Sequence, residues 1–276
     1  VVDAVNSTGG LIVPDFLKEL NVEVVKLYCE PNGDFPHNPE PLKKNLTELS
    51  KKVIECNADL GIAVDPDVDR LVFVCEDGEL FGEENTLVAC ADYVLSKTPG
   101  STVSNLSSSR ALNDITRKHN QVHYYSAVGE VNVVEKMKKC DAIIGGEGNG
   151  GVIYPESHYG RDSIVGIGLF LSLYAQRGLI ASKLLETFPK YFMVKEKINL
   201  SPSLNVDNIL SQIAGKYKNE KIDLVDGVRI DFKDSWVQLR KSNTEPIIRI
   251  YSEAKSIEKA SELIKEIEIL IKNIIS

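Results

Sequence analysis

Gly61-Ile62-Ala63-Val64-Asp65-Pro66-Asp67-Val68-Asp69-Arg70-Leu71-Val72-Phe73-Val74-Cys75 reads as two apolar strands joined by three carboxylates at alternate positions and an arginine. In an extended strand, carboxylates two residues apart lie about 7 Å from one another on one face. That is too far to share a small ion whose oxygens stand about 2.1 Å from it, so the chain must curl here. Pro66 fixes its own φ and biases Asp65 away from the helical region, which places a turn directly after the apolar run 61–64. Three crowded anions repel, and either a cation or Arg70 has to offset them. The loop therefore reads as a divalent-metal site formed by Asp65, Asp67 and Asp69.

Other readings compete for the same residues. Asp65, Asp67, Asp69 and Glu76 match the acidic positions of an EF-hand, but its sixth position needs glycine and here holds Arg70, and a strand-like run follows instead of a helix. A strand followed by Asp-x-Asp also opens haloacid-dehalogenase-like phosphatases, with Asp65 as nucleophile, although Asp69 stands where that pattern usually has Thr or Val. A solvated acidic turn between two strands is the plainest alternative.

Two further segments carry chemistry. Arg240-Lys241-Ser242-Asn243-Thr244-Glu245-Pro246-Ile247-Ile248-Arg249 joins the alternating Trp236-Val237-Gln238-Leu239 to Ile248-Arg249-Ile250-Tyr251, so its polar residues fall in a loop between strands. Hydroxyls, backbone N–H groups and two guanidiniums suit a phosphate dianion, because the guanidinium fork matches its oxygens in pairs. An ordinary polar hairpin would look the same. Gly145-Gly146-Glu147-Gly148-Asn149-Gly150-Gly151 follows the strand-like Asp141-Ala142-Ile143-Ile144; its glycines let backbone approach a ligand, and Glu147 and Asn149 can bond sugar hydroxyls. Asn6-Ser7-Thr8-Gly9-Gly10 lacks a full dinucleotide fingerprint.

In this order, Asp-x-Asp-x-Asp-Arg, then Gly-Glu-x-x-Gly-Gly, then Arg-x-Ser-Asn-Thr-Glu-Pro-x-x-Arg, the three segments resemble the α-D-phosphohexomutases, which include phosphoglucomutases, phosphomannomutases and phosphoglucosamine mutases. The resemblance covers almost the whole chain. It implies Mg²⁺ on Asp65, Asp67 and Asp69, and contact of Arg70 with a reactive phosphoserine. Glu147 and Asn149 would hold sugar hydroxyls, and Arg240, Ser242, Asn243, Thr244 and Arg249 the phosphate that is not transferred. It also implies intramolecular phosphoryl transfer between 1- and 6-phosphosugars. The family's catalytic serine sits in a Thr-Ala-Ser-His-Asn-Pro-like loop of its first domain, and no such segment occurs here: Phe35-Pro36 precede His37-Asn38-Pro39, and Tyr159-Gly160 follow Ser157-His158. The expectation is a fragment spanning the family's second, third and fourth domains; the alternative from another class is a non-catalytic sugar-phosphate-binding module that keeps these loops. Val131 stands where many members carry a basic residue, so either this lineage manages without one or His158 or Arg161 substitutes, and Asn149 replaces a frequent Ser, so glucose, mannose and glucosamine phosphates all stay open.

Composition agrees. A net charge of −8 argues against nucleic acid and anionic membranes. An anionic substrate must then be drawn locally by Arg70, Arg240, Lys241 and Arg249. The run from Ile164 to Ala175 is too short to span a bilayer. Cys29, Cys56, Cys75, Cys90 and Cys140 form no Cys-x-x-Cys pair and are expected to be reduced core residues of a cytoplasmic enzyme. Strand and helix patterns alternate over residues 1–79, opening on an apparent strand Val1-Val2-Asp3-Ala4-Val5 and with Leu42, Leu46, Leu49 and Val53 on one helical face, and again over 80–191. From 192 short strands alternate and a helix follows, with Ser256 as its N-cap and Ile257, Ala260, Leu263, Ile264 and Ile267 opening its apolar stripe. The expected fold is α/β: two similar mixed α/β domains, 1–79 and 80–191, followed by a smaller α+β C-terminal domain, 192–276.

Overall fold

The computed structural model describes residues 1–199, 201, 204–242 and 246–275. Its contacts divide the chain into two compact units, one of Val1–Tyr125 with Gly129–Pro189, the other of Ser126–Val128 with Lys190–Ser276. The first unit carries two four-stranded sheets.

The first sheet is built from β1 (Val2–Asp3), β2 (Lys26–Leu27), β3 (Leu60–Val64) and β4 (Leu71–Cys75), in the order β2-β1-β3-β4. β1 runs parallel to β2 and β3, and β3 pairs antiparallel with β4, Val64 opposite Leu71. Helices α1 (Gly9–Glu19) and α2 (Thr47–Glu55) make the crossovers. α3 (Glu83–Lys97) leads to the second sheet, which repeats the pattern: β5 (Thr102–Asn105), α4 (Ala111–Lys118), β6 (His123–Ser126), α5 (Glu130–Lys139), β7 (Ile144–Glu147) and β8 (Gly151–Ile153) in the order β6-β5-β7-β8, with β5 parallel to β7 and β7 antiparallel to β8. The acidic loop and the glycine-rich loop are thus equivalent, each the tip of the hairpin that ends its sheet. In open α/β sheets ligands collect at the carboxyl ends of the parallel strands, and both tips leave from that end.

β3 and β4 are buried along their whole length, which is why they read as continuous apolar runs. Ala63, Val72 and Val74 pack under Leu49 and Val53 of α2. Elsewhere in the unit Phe73 stacks on Phe170 at a centroid distance of 3.7 Å, and Phe81 meets Phe170 edge-on at 5.0 Å. Phe170 belongs to α6 (Ser163–Arg177), which precedes α7 (Ala181–Leu185), so this aromatic cluster fixes α6 against β4.

The second unit is an antiparallel sheet ordered β10 (Lys221–Asp223), β11 (Val228–Asp231), β12 (Trp236–Lys241), β13 (Ile247–Ala254) and β9 (Phe192–Asn199). α8 (Val206–Lys216) and α9 (Ile257–Ile275) cover it, with Ile213, Ile230, Leu239, Ile250, Ile264 and Ile271 in the shared core. Ser256 Oγ accepts the Lys259 N–H at 3.3 Å, as its N-cap assignment requires.

Three local expectations differ. Leu42 and Leu46 lie outside α2, because residues 43–45 form a 3₁₀ turn and the Asn45 side chain donates to the Glu40 carbonyl at 2.7 Å, ending that turn before the helix starts. The opening strand stops at Asp3, since Val5 and Asn6 take φ of 48° and 53°. Of the five free cysteines Cys75 and Cys90 are buried, with thiols pushed up to about 12 by burial, whereas Cys56 is exposed beyond the end of α2. No helix among the described residues is long and apolar enough to cross a membrane.

Truncating Phe170 to Ala removes the ring on which both Phe73 and Phe81 rest, and is expected to cost about 3–5 kcal/mol. Urea unfolding of the two proteins followed by circular dichroism measures it. A loss below about 1 kcal/mol would mean the cluster collapses around the gap and does not anchor α6.

Candidate functional site

The acidic loop curls as the ion argument required. Asp65 N–H donates to the Arg70 carbonyl at 3.3 Å and Val68 N–H to the Asp65 carbonyl at 3.1 Å. Asp65 Oδ1 accepts the N–H groups of Asp69 and Arg70, each at 3.0 Å. Val68 sits at φ 61°, which a β-branched residue rarely adopts. Neighbours hold that conformation: Ser163 N–H donates to the Val68 carbonyl at 3.0 Å and the Thr8 hydroxyl to the Pro66 carbonyl at 3.0 Å. The outcome is one oxygen from each of Asp65, Asp67 and Asp69 within 4.8 Å of the others. Burial, followed by the charges of Asp69 and Asp67, pushes the Asp65 carboxyl from 3.8 up to about 7. Three hard oxygen donors with one carboxylate this reluctant to ionise fit a small divalent cation such as Mg²⁺.

Two guanidiniums face the loop. Arg70 Nε lies 3.6 Å from Asp65 Oδ2 and 3.8 Å from Asp69 Oδ1, while its Nη1 reaches Glu40 Oε1 at 3.3 Å. Arg161 donates through Nη2 to Asp69 Oδ2 and through Nη1 to Glu147 Oε2 at 3.0 Å. Asp162 fixes where Arg161 stands, because its Oδ1 accepts the Ile164 and Val165 N–H groups at 2.7 and 3.1 Å and so caps α6. The arginine precedes that cap.

Glu147 ends β7 and is buried. Its Oε1 accepts Asn105 Nδ2 at 2.7 Å and the Gly129 N–H at 3.0 Å, which leaves Oε2 to Arg161. Asn149 turns inward, its Oδ1 taking the Gly151 N–H at 3.2 Å in an Asx-turn. Glycine is favoured at one position here and required at another. A Cβ on Gly148 would strike the Glu84 carboxylate, and Gly150, at φ 92°, passes so near the Leu71 backbone that its carbonyl accepts the Leu71 N–H at 3.1 Å. That bond joins the two hairpins. His158 Nε2 lies 2.9 Å from Asp162 Oδ2, tied to the capping carboxylate, and Val131 is 71% exposed on the first turn of α5.

In the second unit, Arg240 and Arg249 are direct partners across β12 and β13 and so share one sheet face. Like charges placed opposite one another repel unless an anion or acid offsets them. Arg240 Nη1 lies 3.5 Å from Asp226 Oδ2, and Ser242 N–H donates to the Ile247 carbonyl at 3.0 Å, closing the loop. Asn243 and Thr244 lie outside the described residues.

Thus Asp65, Asp67, Asp69, Arg70, Glu147 and Asn149 fall on two adjoining hairpin tips of the first unit, and Arg240, Ser242 and Arg249 on one hairpin of the second. Sequence reasoning gave Arg161 little weight and overlooked Glu130, Asn105 and Glu40. The signal available for Arg161 was its place directly before an Asp that opens an apolar helix.

Comparison with known proteins gives three family matches in sequence order: phosphoglucomutase/phosphomannomutase alpha/beta/alpha domain II over residues 1–78, alpha/beta/alpha domain III over 83–191, and the C-terminal domain over 197–270. A phosphoglucomutase/phosphomannomutase of Thermococcus kodakarensis is 38% identical over 269 residues, covering 96% of this chain and 59% of that protein. A phosphoglucosamine/phosphogalactosamine mutase of Sulfurisphaera tokodaii is 32% identical, covering 98% and 61%. The crystal structure of a phosphoglucomutase/phosphomannomutase family protein from Burkholderia thailandensis superposes with a TM-score of 0.87 at 27% identity, over 99% of this chain and 59% of that one. The chain spans about three fifths of the length of these relatives.

The acidic loop predicts a metal affinity that depends on pH. The folded-state pKa of Asp65 is raised, so its charged form is penalised above the ordinary carboxylate range and fully so above about 7; ion binding competes with the proton and strengthens as pH rises through that value. Titrating Mn²⁺ calorimetrically at pH 6 and pH 8 is expected to show tighter binding at pH 8, and Asp67→Asn or Asp69→Asn to weaken it at both. Affinity unmoved by either substitution would remove the loop as the metal site.

Proposed function

The chain belongs to the phosphoglucomutase/phosphomannomutase family, and on that premise we propose that it provides the metal, sugar and phosphate loops of an isomerase that interconverts 1-phospho and 6-phospho sugars through a phosphoserine. The observation carrying this reading is the convergence of three carboxylates and two guanidiniums on one hairpin tip, bonded through Arg161 to the glutamate of the next. A metal-binding tip beside a hydroxyl-binding tip is what phosphoryl transfer to a sugar needs, because that chemistry is mostly positioning and charge neutralisation.

Each residue has a task in this reading. Asp65, Asp67 and Asp69 would hold Mg²⁺, which when bound offsets the charge of the phosphoryl group in transfer. Arg70, steadied by Glu40 and Asp65, presents a guanidinium to the phosphoserine. Glu147 accepts sugar hydroxyls through an orientation set by Asn105, Gly129 and Arg161, and Asn149 assists once its Asx-turn opens. Arg240, Ser242, Asn243, Thr244 and Arg249 grip the phosphate that is not moving. The phosphoryl group leaves the serine oxygen for the free sugar hydroxyl, whose proton ends on the serine oxygen over the step as a whole. The bisphosphorylated sugar then turns round and returns its other phosphoryl group to the serine. A cytoplasmic enzyme of sugar phosphate metabolism acting on glucose, mannose or glucosamine phosphates fits this chemistry.

The rival with Asp65 as a phosphatase nucleophile fares worse. Asp65 Oδ1 is occupied by two backbone N–H groups, and burial holds the carboxyl partly protonated near neutrality; both weaken attack on phosphorus.

The test is a panel of glucose, mannose and glucosamine phosphates offered to the 276-residue chain and to Arg249→Ala, with binding read by calorimetry and isomerisation by NMR. Losing a charge-assisted hydrogen bond typically costs about 1.5–3 kcal/mol, so the variant should bind roughly tenfold to a hundredfold more weakly. Equal affinity would reduce the β12–β13 loop to a plain hairpin. No segment of the 276 residues matches the serine loop, so binding without turnover is expected. Turnover would locate the nucleophile within these residues, with Asp65 first in line.

A further inference from the structure

Arg161 serves neither hairpin alone. Its side chain is 14% exposed, with Nη2 on Asp69 Oδ2, Nη1 on Glu147 Oε2 at 3.0 Å, and Nε 3.4 Å from Glu130 Oε2. Its own N–H donates to Glu130 Oε1 at 3.0 Å, it forms a β-bridge with Ile153, and Asp162 caps the helix that follows. The backbone is therefore held on both sides, so the side chain starts from a fixed point between Asp69 and Glu147. Asp69 is 92 residues away in sequence and Glu147 is 14 away. Both oxygens of Asp69 face arginines, Oδ2 Arg161 and Oδ1 Arg70 at 3.8 Å. Glu147 is buried, and Arg161 supplies the cationic contact to its Oε2.

We propose that Arg161 is a positioning residue that links metal affinity at the acidic loop to hydroxyl binding at Glu147, acting on one as an internal competing cation and on the other as the counter-charge that holds the carboxylate aimed. The inference rests on the functional reading above for the identity of the two ligands. The two effects have opposite signs. At Asp69, a fixed guanidinium opposes a divalent ion taken up by the same carboxylate. In a half-buried site that repulsion outweighs the advantage of holding one Asp rotamer in place. At Glu147, removing the guanidinium leaves a buried carboxylate oxygen without its ion pair, so the side chain loses its fixed orientation and its grip on a hydroxyl weakens. Because the two arms belong to one planar fork, a ligand that draws on one carboxylate changes the hold on the other, and such linkage is reciprocal. Lysine would keep the charge and lose the fork.

Calorimetric titration of Mn²⁺, and separately of glucose 1-phosphate in EDTA, into the parent chain, Arg161→Met, Arg161→Lys and Asp69→Asn tests the proposal, with thermal melting to check that each variant folds. Arg161→Met is expected to bind Mn²⁺ at least about fivefold more tightly than the parent and glucose 1-phosphate about tenfold more weakly. Arg161→Lys should keep parent-like Mn²⁺ affinity and share the weakened sugar binding. Asp69→Asn should bind Mn²⁺ poorly, which identifies the site being titrated. Unchanged or weaker Mn²⁺ binding in Arg161→Met overturns the proposal, and so does an Arg161→Lys variant that matches the parent for both ligands. If neither the parent nor Arg161→Met takes up Mn²⁺, the metal-loop reading itself falls and the proposal with it. If Mn²⁺ behaves as expected but the parent ignores glucose 1-phosphate, the Glu147 half is overturned and the sugar-loop reading is what failed.

Discussion

Carboxylates crowd the two hairpin tips of the first unit, and the guanidinium of Arg161 is what lets Asp69 and Glu147 stand close together there. Asp65, Asp67 and Asp69 are drawn within 4.8 Å of one another, and Glu147 is buried on the adjoining tip. Without a cation these like charges repel one another and gain by moving apart. Much of the surrounding structure secures that cation and the curl it faces: the Asp162 cap, the Ile153 bridge, the Ser163 bond to the Val68 carbonyl, and the aromatic stack that seats α6 on β4.

The two sheets of the first unit repeat one topology, and that repeat explains why an acidic tip and a glycine-rich tip are neighbours. Each tip closes an antiparallel hairpin after the third strand of its sheet. The Gly150 carbonyl accepting the Leu71 N–H stitches one hairpin to the other, which demands a glycine at a position where any Cβ would meet the Leu71 backbone. Side chains beneath the tips then set the chemistry: Asn105 and Gly129 turn Glu147, and Glu40 steadies Arg70. The second unit builds its loop by other means. In its antiparallel sheet two arginines fall opposite one another, and their repulsion is what an anion would relieve.

What was legible in the sequence was local. Asp65, Asp67 and Asp69 announce a curl because alternate carboxylates next to a proline have no comfortable extended arrangement, and β3 and β4 announce themselves as buried strands by unbroken apolar runs. Ser256 was readable as a cap for the same reason. The misread pieces were set by contacts that sequence spacing does not carry. Leu42 and Leu46 fit a helical period yet lie outside the helix, since the Asn45 amide diverts the backbone into a 3₁₀ turn. Val5 leaves its strand by a left-handed turn that a β-branched residue does not advertise. Arg161 was read only as a candidate substitute for a basic residue, because its partners lie 14 and 92 residues away.

The most direct measurement is the crystal structure of the chain soaked in Mn²⁺, with the ion located by its anomalous scattering. The account predicts a single strong peak bounded by Asp65, Asp67 and Asp69, accompanied by a shift of the Arg161 guanidinium away from Asp69 while Asp162 still caps α6. A peak elsewhere, or one at this loop with Arg161 still bonded to Asp69, would contradict it.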